Sequence, residues 1–173
     1  PMFDTIALSG SNRINGLFPS EYDEDKIDRF LKSAYGDIER RSRLVVSIHV
    51  PPKGILDYVP HIKKNAGSES LLKFIIRRKP FLVLCGHIHE AFGFAPYRVE
   101  GSSLVRVDIR DSYTMGRDAD VIIVNSGALA EKRFASIDIR DTGKTLSVSV
   151  SLKQFTRKSL LRLALESIGR NVR

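Results

Sequence analysis

Phe81-Leu82-Val83-Leu84-Cys85-Gly86-His87-Ile88-His89-Glu90 is the stretch on which the fold turns. Its five apolar residues are too few for a helix and suit a strand buried on both faces. The run stops at Gly86, so His87 and His89 stand just past a strand's carboxyl end. Leu44-Val45-Val46-Ser47-Ile48 repeats the pattern: His49 follows, and Pro51-Pro52 closes the strand because proline donates nothing to a sheet ladder. Three of the chain's four histidines therefore sit behind two buried strands.

Helices fill the spaces between. Ile27, Phe30, Leu31 and Tyr35 recur at helical spacing over 21–36, behind a weak capping signal of Ser20 with Asp23. Ser68 or Ser70 caps a second helix with Leu71, Leu72, Phe74, Ile75 and Ile76 on its apolar side, and Pro80 ends it. With a β-prone stretch over 4–9, the order is strand, helix, strand, helix, strand. That order predicts an α/β fold whose parallel strands present ligands at their carboxyl ends. Further on, 104–109, 120–124, 134–139 and 146–152 read as short strands. Ser147, Val148, Ser149, Val150, Ser151 and Leu152 alternate strictly, which predicts an antiparallel sheet with one solvated face. The 94–118 stretch, with Arg98, Arg106, Arg110 and Arg117, is read as a mobile hairpin or a substrate-facing insertion. Residues 1–155 form the main unit, and 156–173 form a basic amphipathic helix.

The 173 residues are 42% hydrophobic and 28% charged, which excludes collagen-like and wholly disordered classes. No window reaches the roughly 18 apolar residues of a membrane helix, so a membrane is not among the expected partners. A lone cysteine, Cys85, excludes an intrachain disulfide and fits a reducing cytoplasm; it is expected to pack in the core. Lys+Arg 28 against Asp+Glu 20 gives a net +8, favouring anionic partners such as phosphoesters or nucleic acid.

Imidazole nitrogens suit Zn, Mn and Fe. On an extended backbone His87 and His89 point to the same side, where they serve two neighbouring ions or clamp one. The plainer alternative is loop histidines bonded to backbone. Gly86 allows a tight turn and keeps a Cβ away from a ligand's approach. Glu90 either orients the His89 ring or lies on the surface. Asp57 caps its loop or faces the site, and His61 faces solvent.

Leu84-Cys85-Gly86-His87-Ile88-His89-Glu90 resembles the Gly-His-x-His motif of calcineurin-like metallophosphoesterases. His49-Val50-Pro51-Pro52 is similar to their preceding histidine motif, and Val124-Asn125-Ser126-Gly127 resembles their Asn-Pro-Gly turn, with Ser126 in place of proline. In the Icc-related phosphoesterase branch the likeness extends to Asp57, Gly67-Ser68, Lys79-Pro80, Leu8-Ser9-Gly10-Ser11 and Phe18-Pro19-Ser20-Glu21, and so to roughly residues 4–139. The resemblance implies a four-layer α-β-β-α sandwich, of which this chain is the second half. It also implies a cytoplasmic phosphoesterase or phosphodiesterase with two divalent ions, Mn, Fe or Zn. His49 and His87 would ligate one ion and His89 the other, with Gly86, Glu90, Asp57 and Asn125 beside them. The family's Asp-x-His, Gly-Asp-x-x-Asp and Gly-Asn-His-Asp/Glu motifs do not occur here. The missing ligands are therefore expected from an N-terminal portion or a second chain, a homo-oligomer included. Two other readings stay open: a non-catalytic metal-binding or interaction remnant, and a basic nucleic-acid-binding protein.

Overall fold

The computed structural model describes residues 3–9, 11–12, 21–38 and 43–155. The helix expected over 156–173 lies outside them. In chain order the strands are β1 (Asp4–Leu8), β2 (Ser11–Asn12), β3 (Glu21–Tyr22), β4 (Leu44–Ile48), β5 (Tyr58–Val59), β6 (Lys64–Asn65) and β7 (Leu82–Cys85). They continue with β8 (Gly93–Glu100), β9 (Ser103–Arg106), β10 (Tyr113–Thr114), β11 (Val121–Asn125), β12 (Arg133–Asp141) and β13 (Leu146–Gln154). Helices α1 (Glu24–Gly36) and α2 (Glu69–Arg78) precede β4 and β7.

A six-stranded sheet in the order β1-β4-β7-β11-β8-β9 organises the molecule. Its first four strands are parallel, and β8 and β9 complete it antiparallel. Every residue of β11 is buried because both faces of the sheet are covered. Val46, Val83 and Ile123 face Ile27, Leu31, Leu71 and Ile75 of the helices. Alternate residues Val45, Leu82, Ile122 and Val124 pack on the other side, against Tyr113 and Val148. That second cluster is roofed by the antiparallel sheet β10-β13-β12. Ile137 pairs with Val150 and Ile139 with Val148 on its inner face, whereas Asp138–Ser149 and Arg140–Ser147 pairs face outward, as the alternation predicts. The described residues thus form three layers: helices, a mainly parallel sheet and an antiparallel sheet. No helix among them is long and apolar enough to cross a membrane.

The helix starts differ in detail from the sequence reading. Asp23 caps α1, its Oδ1 accepting from Lys26 N–H at 2.7 Å, so the helix begins at Glu24. Residues 21–22 are instead drawn into a parallel ladder with β2. Ser68 caps α2, accepting from Leu71 N–H at 3.1 Å. Ser70 serves the neighbouring helix: the Glu24 carboxylate accepts from Ser68 Oγ (2.9 Å) and Ser70 N–H (2.8 Å), and Ser70 Oγ donates to Glu24 O.

The 94–118 stretch is built into both sheets rather than standing off as a mobile hairpin: β8 and β9 join the central sheet and β10 the antiparallel one. β8 pairs with β11 over Gly93–Tyr97 and with β9 over Tyr97–Glu100, and Ala95 and Tyr97 are buried. Pro96 fits because its carbonyl accepts from Val107 N–H, so its nitrogen faces the β9 side beyond the last ladder pair, where no ladder bond is lost.

Candidate active site

The parallel strands end together, and their carboxyl ends open into a cleft of about 570 Å³ lined by Leu8, Ser9, His49, Gly86, His87, His89 and Ser126 among others. This is where strand-end ligands are expected. His49 and His87 come from neighbouring strands, and their loops are stitched by Gly86 N–H donating to His49 O at 2.9 Å.

The unusual backbone is at His87, not Gly86. His87 has φ 65°, and Ile88 N–H reaches back to Gly86 O at 2.7 Å, which makes a three-residue turn in its positive-φ form. A side chain in that region costs on the order of 1–2 kcal/mol. Gly86 itself is not left-handed, and a Cβ there would only reach ordinary contact with His49 at 3.7 Å. The premise of an extended His-x-His segment therefore fails: His87 is turned, and His89 begins a short 3-10 turn.

The consequence is a pairing that alternation does not anticipate. His87 Nδ1 lies 3.2 Å from His49 Nε2, with the rings edge-on at 69°. Burial, then the charge of His89, lowers the His49 pKa and favours the neutral ring a metal ligand needs. His89 turns to another partner: its Nδ1 is 3.3 Å from the Glu131 carboxylate. Arg133 donates to Glu131 at 2.7 Å and to His89 O at 3.0 Å. The carboxylate paired with His89 is thus Glu131, brought from beyond β11; the adjacent Glu90 lines a second hollow together with His61, His87, His89 and Glu131. Sequence reading missed Glu131 and Arg133, since no local spacing links them to the histidines.

Asn125 is fully buried and clasps the turn. Its Nδ2 donates to Ile88 O (2.9 Å), with Leu56 O (3.3 Å) and Gly86 O (3.4 Å) also in reach, and its Oδ1 accepts from Gly127 N–H at 3.0 Å. Asp57, also buried, spends Oδ2 on Gly54 and Gly67 N–H, both 2.9 Å, which is the capping role. Cys85 is in the core, its thiol donating to Val124 O; burial, then Asp57, pushes its pKa up to about 12.

The fit to divalent ions is partial. Metal–nitrogen bonds of about 2.0–2.1 Å put two ligand nitrogens about 2.9 Å apart at a right angle and about 3.3 Å apart at a tetrahedral one. The 3.2 Å between His49 and His87 lies in that span. Among the described residues, however, the carboxylate that reaches His89, Glu131, is already paired with Arg133, and no three His, Cys, Asp or Glu side chains converge as a metal-holding group. These residues by themselves do not fit a two-ion centre.

No family model matches the chain. Over 50 residues, 28% of this chain, it is 42% identical to the metallophosphoesterase domain-containing protein 1 of Homo sapiens and, equally, of Mus musculus. The chain covers only 15% of those relatives' length. A solved structure superposes at a TM-score of 0.55 and 22% identity, over 89% of this chain and 49% of its own. A second, the protein TT1561 of Thermus thermophilus, aligns at 0.46 and 14% over 87% of this chain and 52% of its own. The resemblance to metallophosphoesterases thus extends beyond the motifs to a matched stretch, and the fold is shared with about half of a longer protein.

Proposed function

We propose that this chain supplies the histidine wall of a metal-dependent phosphoester hydrolase and that the carboxylate ligands come from outside the described residues. Support comes from the resemblance to metallophosphoesterases together with one observation: His49 Nε2 and His87 Nδ1 meet at 3.2 Å at the carboxyl edge of a parallel sheet. When bound, divalent ions such as Mn, Fe or Zn would clamp phosphate oxygens and lower the pKa of a water. The chain's own part is to hold three imidazoles in place. Asn125 secures the His87 turn, and Glu131 with Arg133 orients the His89 ring and fixes its tautomer. The outer helix layer of a four-layer sandwich, a cytoplasmic setting and a second chain or N-terminal portion as partner belong to the same reading.

That no three metal-ligating side chains converge among the described residues favours a second reading, a metal-binding or interaction module without chemistry. Equilibrium dialysis against Mn²⁺ or Zn²⁺, run beside hydrolysis of bis(p-nitrophenyl) phosphate, separates the two. The leading reading expects bound metal and metal-dependent turnover, both lost in His49→Ala and His87→Ala. Metal retention without turnover gives the second reading. Turnover that survives EDTA, or metal binding unchanged in the double variant, overturns both.

A further inference from the structure

We propose that the opposite end of the central sheet binds the phosphate backbone of a nucleic-acid strand. Residues preceding the parallel strands gather there: Arg43 before β4, Lys79 before β7 and Asp120 before β11. With Arg78, Lys144 and an apolar floor they enclose a cleft of about 430 Å³, four cations against one carboxylate. Asp120 is engaged by Val99 N–H at 2.8 Å. Arg43 is held by the Asp141 carboxylate and Gly143 O, and Arg78 stands 4.4 Å over the Tyr35 ring. Lys79 and Lys144 are exposed and have no carboxylate partner among the described residues.

A second basic cleft of about 460 Å³ adjoins the first. Arg98, Arg106, Arg110 and Arg117 line it with Asp108 and Asp118. The two clefts share a wall, because Thr114 lines the first and its Oγ1 accepts from the Arg117 guanidinium at 3.2 Å. Two adjoining cationic hollows suit a chain of spaced phosphates better than one small anion, and guanidinium groups engage phosphate oxygens in pairs. Among the described residues no exposed aromatic ring lines either cleft, Phe81 being 2% exposed. Bases therefore have nothing to stack on, and recognition runs through the backbone without sequence preference. Arg43 and His49 are six residues apart on an extended strand, so the region lies about 20 Å from the histidine cleft. It stands independently of the hydrolase reading.

The test is fluorescence anisotropy with a labelled single-stranded oligonucleotide of mixed sequence, across a salt series. Eight cations less four carboxylates, the Asp141 that holds Arg43 among them, can neutralise about four phosphates, so log K should fall against log salt with a slope of about −2.8. Lys79→Glu with Lys144→Glu reverses two charges, a net change of four, and should weaken binding about tenfold or more and flatten the slope by about 2.8, nearly abolishing it. Arg98→Ala with Arg106→Ala, which only neutralises two charges, should flatten it by about 1.4. Lys63→Glu with Lys64→Glu makes the first pair's charge change near the other end of the sheet and should leave the slope unchanged. Equal loss in that control would show diffuse attraction and overturn the proposal. So would displacement of the oligonucleotide by AMP at equal phosphate concentration, or an absence of binding at low salt.

Discussion

Asn125→Ala removes the clasp on the His87 turn, and its cost follows from the bonds it breaks. Ile88 O (2.9 Å) and Gly127 N–H (3.0 Å) lose well-formed partners in a site that is 0% exposed at Asn125. Each buried polar group left unsatisfied costs about 1–3 kcal/mol, so the variant should lose about 2–6 kcal/mol. At about 2–4 °C per kcal/mol for a chain of this size, the thermal midpoint should drop by about 4–24 °C. Asn125→Asp is a stricter probe, since it keeps the volume and the acceptor for Gly127 but replaces the donor amide with oxygen facing the carbonyls of Leu56, Gly86 and Ile88. At pH 7 it should be less stable than Asn125→Ala. The introduced carboxyl would carry a folded pKa above its unfolded value, so its penalty should shrink as pH falls below that folded value, when protonation restores a donor. Urea unfolding of the three proteins at pH 7 and pH 5 measures this. A loss under about 0.5 kcal/mol for Asn125→Ala, or no recovery of Asn125→Asp in acid, would refute the clasp.

Other positions carry sharp expectations. His87→Gly should be more stable than His87→Ala by about 1 kcal/mol in urea, because both lose the ring and only glycine adopts φ 65° freely; parity would place the turn elsewhere. Gly67→Ala should destabilise by about 3 kcal/mol or more, since its Cβ would stand 2.6 Å from Pro52 O, and a calorimetric scan checks it. The Cys85 thiol, with its pKa pushed up to about 12, should resist iodoacetamide at pH 8 in the folded protein and react on addition of urea; rapid native labelling followed by mass spectrometry would contradict its burial. At Asp118 the Thr114 N–H, then Arg117, lowers the carboxyl pKa. NMR titration should therefore find it ionised below the usual aspartate range, its small stabilising effect present above the unfolded pKa and lost as pH falls through the folded one.

Much of the frame was legible along the chain because it rests on local rules. The run at 81–85 lies between Pro80 and Gly86 and that at 44–48 is closed by Pro51-Pro52, and strands buried on both faces need no partner pattern to be recognised. The alternation at 147–152 reported a sheet with one covered face, which β13 has. Gly93–Glu100 was not read as a strand: Gly93 and Pro96 count against strand structure locally, and only pairing with the fully buried β11 outweighs them. At the site, Glu90 was the nearest carboxylate in sequence, whereas Glu131 is the nearest in space.

The sequence by itself determined that three histidines would stand at the carboxyl ends of parallel strands, because hydrophobic runs and chain stops act within a few residues. Only the tertiary structure decided which nitrogens meet. A non-glycine residue enters the left-handed region at a cost, and no local pattern announces it. At His87 that cost is met by Asn125, which lies 38 positions further along the chain and reaches the turn only because β11 pairs with β7. The same packing brings Glu131 from beyond β11 to His89 and Arg133, a chemical fact about the space between elements rather than about any one of them.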